Sequence, residues 1–138
     1  MAVLKRFAFG AGAIVALVLT AAQQPSALAG VQPGLWEISG APGAKAPIRQ
    51  CVAQVAALAE FEHRGKACTR KTIRDHGNSA VVEYSCGSKG FGRSQFKVIT
   101  PRSVRIETQG ISDQLPFNYV LQARRIGECP APATAARH

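Results

Sequence analysis

Four cysteines (Cys51, Cys68, Cys86 and Cys129) and three histidines (His63, His76 and His138) are the residues of this chain whose side chains offer the widest chemistry. Cysteine and histidine can together ligate zinc, but zinc sites draw their ligands from short paired spacings. Here successive cysteines stand 17, 18 and 43 residues apart. No CxxC pair, GxSxG elbow, HExxH helix or phosphate-cradling glycine loop occurs. Asp75 and His76 are adjacent in sequence, yet neighbours on a turn point apart. Ser88 and Lys89 fall in the turn Gly87-Ser88-Lys89-Gly90, where two residues alone do not make a nucleophile and its base. The sequence therefore nominates no catalytic, metal-binding or cofactor-binding residue, and leaves the cysteines one use, cross-linking.

The elements that position the cysteines support that use. From Lys66 to Ser88, two runs rich in β-branched residues flank a Gly77-Asn78 turn, the pattern of a hairpin. With a three-residue loop, His76 to Asn78, Asp75 faces Ser79 and Cys68 faces Cys86, and facing residues lie within disulfide range at about 4.5 to 5.5 Å. A two-residue turn would slip the register by one and put the sulfurs on opposite faces. Of the three connectivities four cysteines allow, the hairpin favours Cys68 with Cys86 and leaves Cys51 with Cys129.

An even number of cysteines suits an oxidising compartment, and the first 29 residues read as an export signal. Lys5 and Arg6 form a basic start, Phe7 to Leu19 an uncharged core, and Ala27-Leu28-Ala29 a small-x-small cleavage site before Gly30. The apolar run is shorter than the ~20 residues of a spanning helix. The expected mature chain, Gly30 to His138, has 109 residues, one small domain with a thin stability margin. In the chain-entropy account, the short hairpin link would contribute about 3 kcal/mol and the long one between about 4 and 5.

The whole chain carries a net charge of +9, and without Lys5 and Arg6 the remaining 15 basic and 8 acidic residues leave +7. That balance suits anionic partners such as lipid head groups, cell-wall polymers or acidic proteins. Nucleic acid is a poor match, because export separates the chain from it and no recognition motif is present.

Past the leader, a Pro33-Gly34 turn feeds a strand in which Trp36 and Ile38 share a face, and Gly40 to Pro47 forms a loop. From Val52 to about Arg64 the spacing of Val52, Val55, Leu58 and Ala59 predicts a short helix ending at Gly65, its start fastened by Cys51 to the end of the last strand. After the hairpin come strands over Phe91 to Thr100, Val104 to Thr108 and Phe117 to Arg124, with a loop over Gly110 to Pro116 and a disordered tail from Ala131 to His138. The expected fold is α+β and mainly β. An antiparallel meander, curled or partly closed, carries one short helix packed on it within a single domain over residues 30–130.

Alternation places Lys97, Arg105 and Arg124 on the outward side of their strands, a candidate anion-contact face, although such charges also serve as a solvated surface and as edge protection. Arg70, Lys71 and Arg74 share one hairpin strand. Trp36, Phe96 and Tyr119 could line an apolar pocket beneath the sheet.

Pro33-Gly34-Leu35-Trp36-Glu37, Arg49-Gln50-Cys51-Val52, the spaced Cys68 and Cys86, and Arg125-Ile126-Gly127-Glu128-Cys129 together resemble the DUF3617 family of small exported bacterial proteins of unknown function. The resemblance covers nearly the whole expected mature chain. It departs in Gly40 to Pro47, short and Ala-rich where many members carry a Met- and Pro-rich segment. A partner contact made by that segment elsewhere would be weakened here. The resemblance implies a periplasmic location in a Gram-negative bacterium and supplies no catalytic residues.

These readings converge on a non-enzymatic periplasmic domain that binds an envelope component, such as an anionic lipid or cell-wall polymer, or a small ligand. The alternative is an inhibitor of a secreted or wall-degrading enzyme, in which a loop such as Gly40 to Pro47 plugs the partner's cleft.

Overall fold

Seven segments have the backbone of strands: β1 (Gly34–Ser39), β2 (Ile48–Val52), β3 (Thr69–His76), β4 (Ser79–Ser85), β5 (Gly90–Thr100), β6 (Ser103–Ser112) and β7 (Leu115–Gly127). They form one antiparallel sheet in the order β2-β1-β7-β6-β5-β4-β3, open at both edges. The computed structural model describes residues 24–131. The basic start and apolar core of the leader, and the tail beyond Ala131, lie outside the described residues.

Strand alternation divides the sheet into two faces. Trp36, Ile38, Val82, Phe96, Val104, Ile106 and Leu121 point to one side and are almost wholly buried. Over them packs a 3₁₀ helix, Val55–His63, interrupted at Glu60. The helix expected from Val52 begins later, Val52 lying in β2, and its pitch is 3₁₀. Val55, Leu58 and Phe61 are all buried at three-residue intervals, which a helix of three residues per turn aligns on one side. Ser94 donates to the Ala59 carbonyl at 2.7 Å, tying the helix to β5, and its oxygen lies 2.8 Å from the Thr108 hydroxyl. Trp36 is fully buried and donates to the Gln32 carbonyl at 3.1 Å.

Both disulfides form as the sequence favours, Cys68 with Cys86 and Cys51 with Cys129, their Cα atoms 4.2 and 5.5 Å apart. The hairpin reaches its pairing by a different route from the expected loop. Its turn has two residues, so that His76 faces Ser79, and Gly77 takes the left-handed position at φ 58°. That register alone would separate the sulfurs. A β-bulge between Thr72 and Arg74 inserts Ile73 and restores it, so that Thr69 faces Ser85 and the cysteines follow in register. Cys51 lies in β2, opposite Leu35, and so the second disulfide holds the edge strand rather than a helix start.

The expected loop over Gly110 to Pro116 is corrected to continuous strand with a two-residue turn at Asp113 and Gln114, both left-handed at φ 47° and 69°. Gly110 is needed inside the sheet, because a Cβ there would come within 2.1 Å of the Phe91 carbonyl oxygen. Pro116 sits where β7 has no neighbour but β6, since β1 extends along β7 only as far as Gln122.

A further piece precedes β1. Ser26–Leu28 forms a short 3₁₀ turn, Pro25 and Leu28 are buried, and the turn packs against β3 and β4.

Candidate binding face

The second face of the sheet carries no helix. Register stacks its residues in rows across the strands: Ser85, Phe91, Ile111 and Pro116; then Lys71, Glu83, Arg93, Gln109 and Asn118; then Arg74, Val81, Gln95, Glu107 and Val120; then Ser79, Lys97, Arg105 and Gln122. An open groove of about 1000 Å³ covers the first two rows, and a polar cavity of about 430 Å³ continues it past Arg74, Val81 and Gln95. Arg93, Gln109 and Asn118 belong to both. Phe91, 55% exposed, and Ile111 give the groove an apolar end, while its rim carries Lys71 and Arg93 with Glu83 between them, 3.9 Å from Arg93. Glycines at 92 and 110 line it where their strands lie side by side.

Lys97, Arg105 and Arg124 occur on this same face. Lys97 stands directly opposite Arg105, and Arg124 lies near the strand ends, opposite Ser103 and Glu37. Arg105 pairs with Glu107, and Arg124 with Glu37 at 2.8 Å. The Arg124 hydrogen bond, with the charges of Arg124 and Arg49, holds the Glu37 carboxyl below the usual carboxylate range, against a smaller opposing effect of desolvation. Lys97 has no ion pair among the described residues. Among the described residues, two of the three cations are thus partly neutralised and Lys97 has no ion-pair partner.

The hairpin cations separate. Arg70 turns to the helix side, 3.1 Å from Glu60 and 3.3 Å from Gln54, whereas Lys71 and Arg74 fall in the rows of the open face. The bulge at Ile73 is what puts both on that side. The sequence reading missed Phe91 and Arg93. Their signal was parity: along β5 the odd positions Arg93, Gln95 and Lys97 are polar, and Phe91 is an aromatic in that polar series.

The pocket expected beneath the sheet is not lined by the residues proposed for it, because Trp36 and Phe96 are fully buried in the core. Tyr119 instead edges a separate cavity of about 630 Å³ between the 41–44 loop, the helix end and β7. There its hydroxyl donates to Glu62 at 2.7 Å, and burial together with that carboxylate pushes its pKa up. The loop itself turns back on itself, Ala44 donating to the Ala41 carbonyl at 3.1 Å.

His63 is 4% exposed. Its Nε2 lies 3.1 Å from the Lys89 carbonyl, which can only accept, so Nε2 carries the proton and Nδ1 accepts from the Tyr84 hydroxyl at 3.0 Å. Burial, then the nearby Glu62 and Glu60 charges, raises the Tyr84 pKa. The pair is a satisfied piece of core. Among the described residues no cluster of three or more metal-ligating side chains occurs, and no helix is long and apolar enough to cross a membrane.

Residues 31–129 match a family whose description reads "Protein of unknown function (DUF3617)". Comparison with curated proteins and with solved structures gives no match.

Proposed function

The chain belongs to the DUF3617 family, and because that family's description names no activity, we propose from the geometry that this is a non-enzymatic periplasmic domain binding an anionic amphiphile of the cell envelope on its open sheet face. The observation that carries the reading is the union, on one face, of an apolar groove at Phe91 and Ile111 with cations at Lys71, Arg93, Lys97 and Arg105. Apolar surface takes up a chain or tail, and the cations draw an anionic head. Two disulfides suit an exported, oxidising location, which supports the periplasmic assignment.

The test is co-sedimentation with phosphatidylglycerol-containing and pure phosphatidylcholine vesicles at low and moderate salt. The proteins compared are the wild type, the Lys97→Ser, Arg105→Ser, Arg124→Ser triple variant and Phe91→Ser. Exposed charges are screened beyond about 10 Å at 0.1 M salt, so binding should favour the anionic vesicles and weaken as salt rises. The triple variant, which keeps Lys71 and Arg93, should show a weaker charge preference, and Phe91→Ser should bind more weakly to both. Equal, salt-independent partitioning of all three proteins rejects the reading. Inhibition of a wall-degrading enzyme without vesicle binding would favour the inhibitor reading instead.

A further inference from the structure

The turn before β1 is part of the folded domain. Leu28 is 0% exposed and belongs to the same core as Trp36, Leu58 and Phe96. The Asp75 carboxylate, near the tip of the β3–β4 hairpin, accepts three hydrogen bonds from this turn: from the Ser26 amide at 2.6 Å, the Ser26 hydroxyl at 2.8 Å and the Ala27 amide at 2.9 Å. The Gln24 side-chain oxygen accepts from the Ala56 amide at 3.0 Å, near the start of the 3₁₀ helix, where backbone N–H groups have no partner within the helix. Cleavage after Ala29 would remove every one of these contacts and leave a hole where Leu28 sits.

We propose that the leader is instead cut on the N-terminal side of Gln24, so that residues 24–29 remain with the mature protein as a structural strap. The sequence offers a suitable bond. Thr20-Ala21-Ala22 directly follows the apolar run ending at Leu19 and has small residues three and one positions before the Ala22–Gln23 bond, as a signal peptidase requires. Hydrolysis there adds one water across the amide: the hydroxyl goes to the Ala22 carbonyl, which leaves with the leader as a carboxylate, and the proton goes to the nitrogen that becomes the Gln23 amine. Ala27-Leu28-Ala29 satisfies the same sequence rule, but the burial of Leu28 in the core gives these residues a structural use.

The experiment is export of the full chain in a Gram-negative host, followed by intact mass and N-terminal sequencing of the soluble product. The expected start is Gln23, or another residue no later than Gln24, and a start at Gly30 overturns the proposal. Ala29→Leu removes the small residue at the downstream site while leaving an exposed position. The cut should stay where it is, and abolished processing would likewise overturn the idea. A third readout is independent of sequencing. A residue discarded with the leader cannot affect the exported product, so Leu28→Ala should lower its melting temperature by about 10 °C if the strap is retained, and an unchanged melting temperature counts against it.

Discussion

Lys97 and Arg105 face each other directly across β5 and β6, two cations on adjacent strands of the uncovered side of the sheet. Like charges so placed destabilise a sheet, and Glu107 relieves only the arginine. A position that costs stability and could readily be opposite in sign is a good place to separate folding from binding. Lys97→Glu should therefore stabilise the domain, by about 0.2 to 1 kcal/mol, while weakening attachment to anionic vesicles. Urea unfolding and co-sedimentation on the same protein check the two halves. Loss of stability together with binding would show that Lys97 serves the fold rather than a ligand.

Asp75 sets an acid dependence. The Ala27 amide, with the Ser26 hydroxyl and amide, holds its carboxyl below its ordinary value, so the folded state favours the ionised form. Stability from a depressed carboxylate is fully present above the unfolded value of about 3.9 and is lost as pH falls through the lower folded value. The melting temperature of Asp75→Asn should thus lie below the wild type's near neutral pH, and the gap should narrow as the solution is taken below about pH 4. A gap that does not change with pH would mean that the carboxylate charge contributes nothing or that Ser26 and Ala27 have left with the leader.

The disulfides differ in what they restrain. Cys51 and Cys129 are 78 residues apart and Cys68 and Cys86 only 18. Chain entropy assigns about 4.5 kcal/mol to the first and about 3 to the second. Replacing Cys51 and Cys129 with serine should cost more in unfolding free energy than replacing Cys68 and Cys86. The reverse order, measured by denaturant unfolding, would show that the bulged hairpin depends on its clasp for more than loop closure.

Much of this architecture was legible because strand alternation is a local property. The burial of Trp36 and Ile38, the β7 face of Phe117, Tyr119, Leu121 and Ala123, and the outward placement of Lys97, Arg105 and Arg124 all follow from parity along single strands. What escaped depended on contacts distant in sequence. Ile73 has no local mark of a bulge, and it becomes one because the disulfide register must agree with a two-residue turn at Gly77 and Asn78. Gly110 resembled a turn residue, yet its purpose lies on neighbouring strands, where Gly92 and Phe117 flank it. The groove escaped for the same reason. Phe91 and Ile111 are twenty residues apart and meet only when β5 and β6 pair.

Gly92 carries the last prediction, because it joins the groove to the core. A Cβ at this position would lie 2.5 Å from the Tyr84 hydroxyl oxygen and 2.6 Å from the ring carbon that bears it. Tyr84 is held in place on its far side: its hydroxyl donates to His63 and its ring meets the imidazole edge-on at a centroid distance of 5.4 Å. It cannot retreat without breaking that hydrogen bond. Gly92→Ala should therefore destabilise the domain by about 1 to 3 kcal/mol, from overpacking and the buried imidazole nitrogen left without its donor. In a Tyr84→Ala background the ring is gone and the same change should be neutral or stabilising, since alanine loses less backbone entropy than glycine, a gain of roughly 0.5 to 1 kcal/mol in a strand interior. A double-mutant cycle by urea unfolding measures the difference. Equal effects of Gly92→Ala in both backgrounds would show that the glycine is required by something other than the tyrosine lying over it.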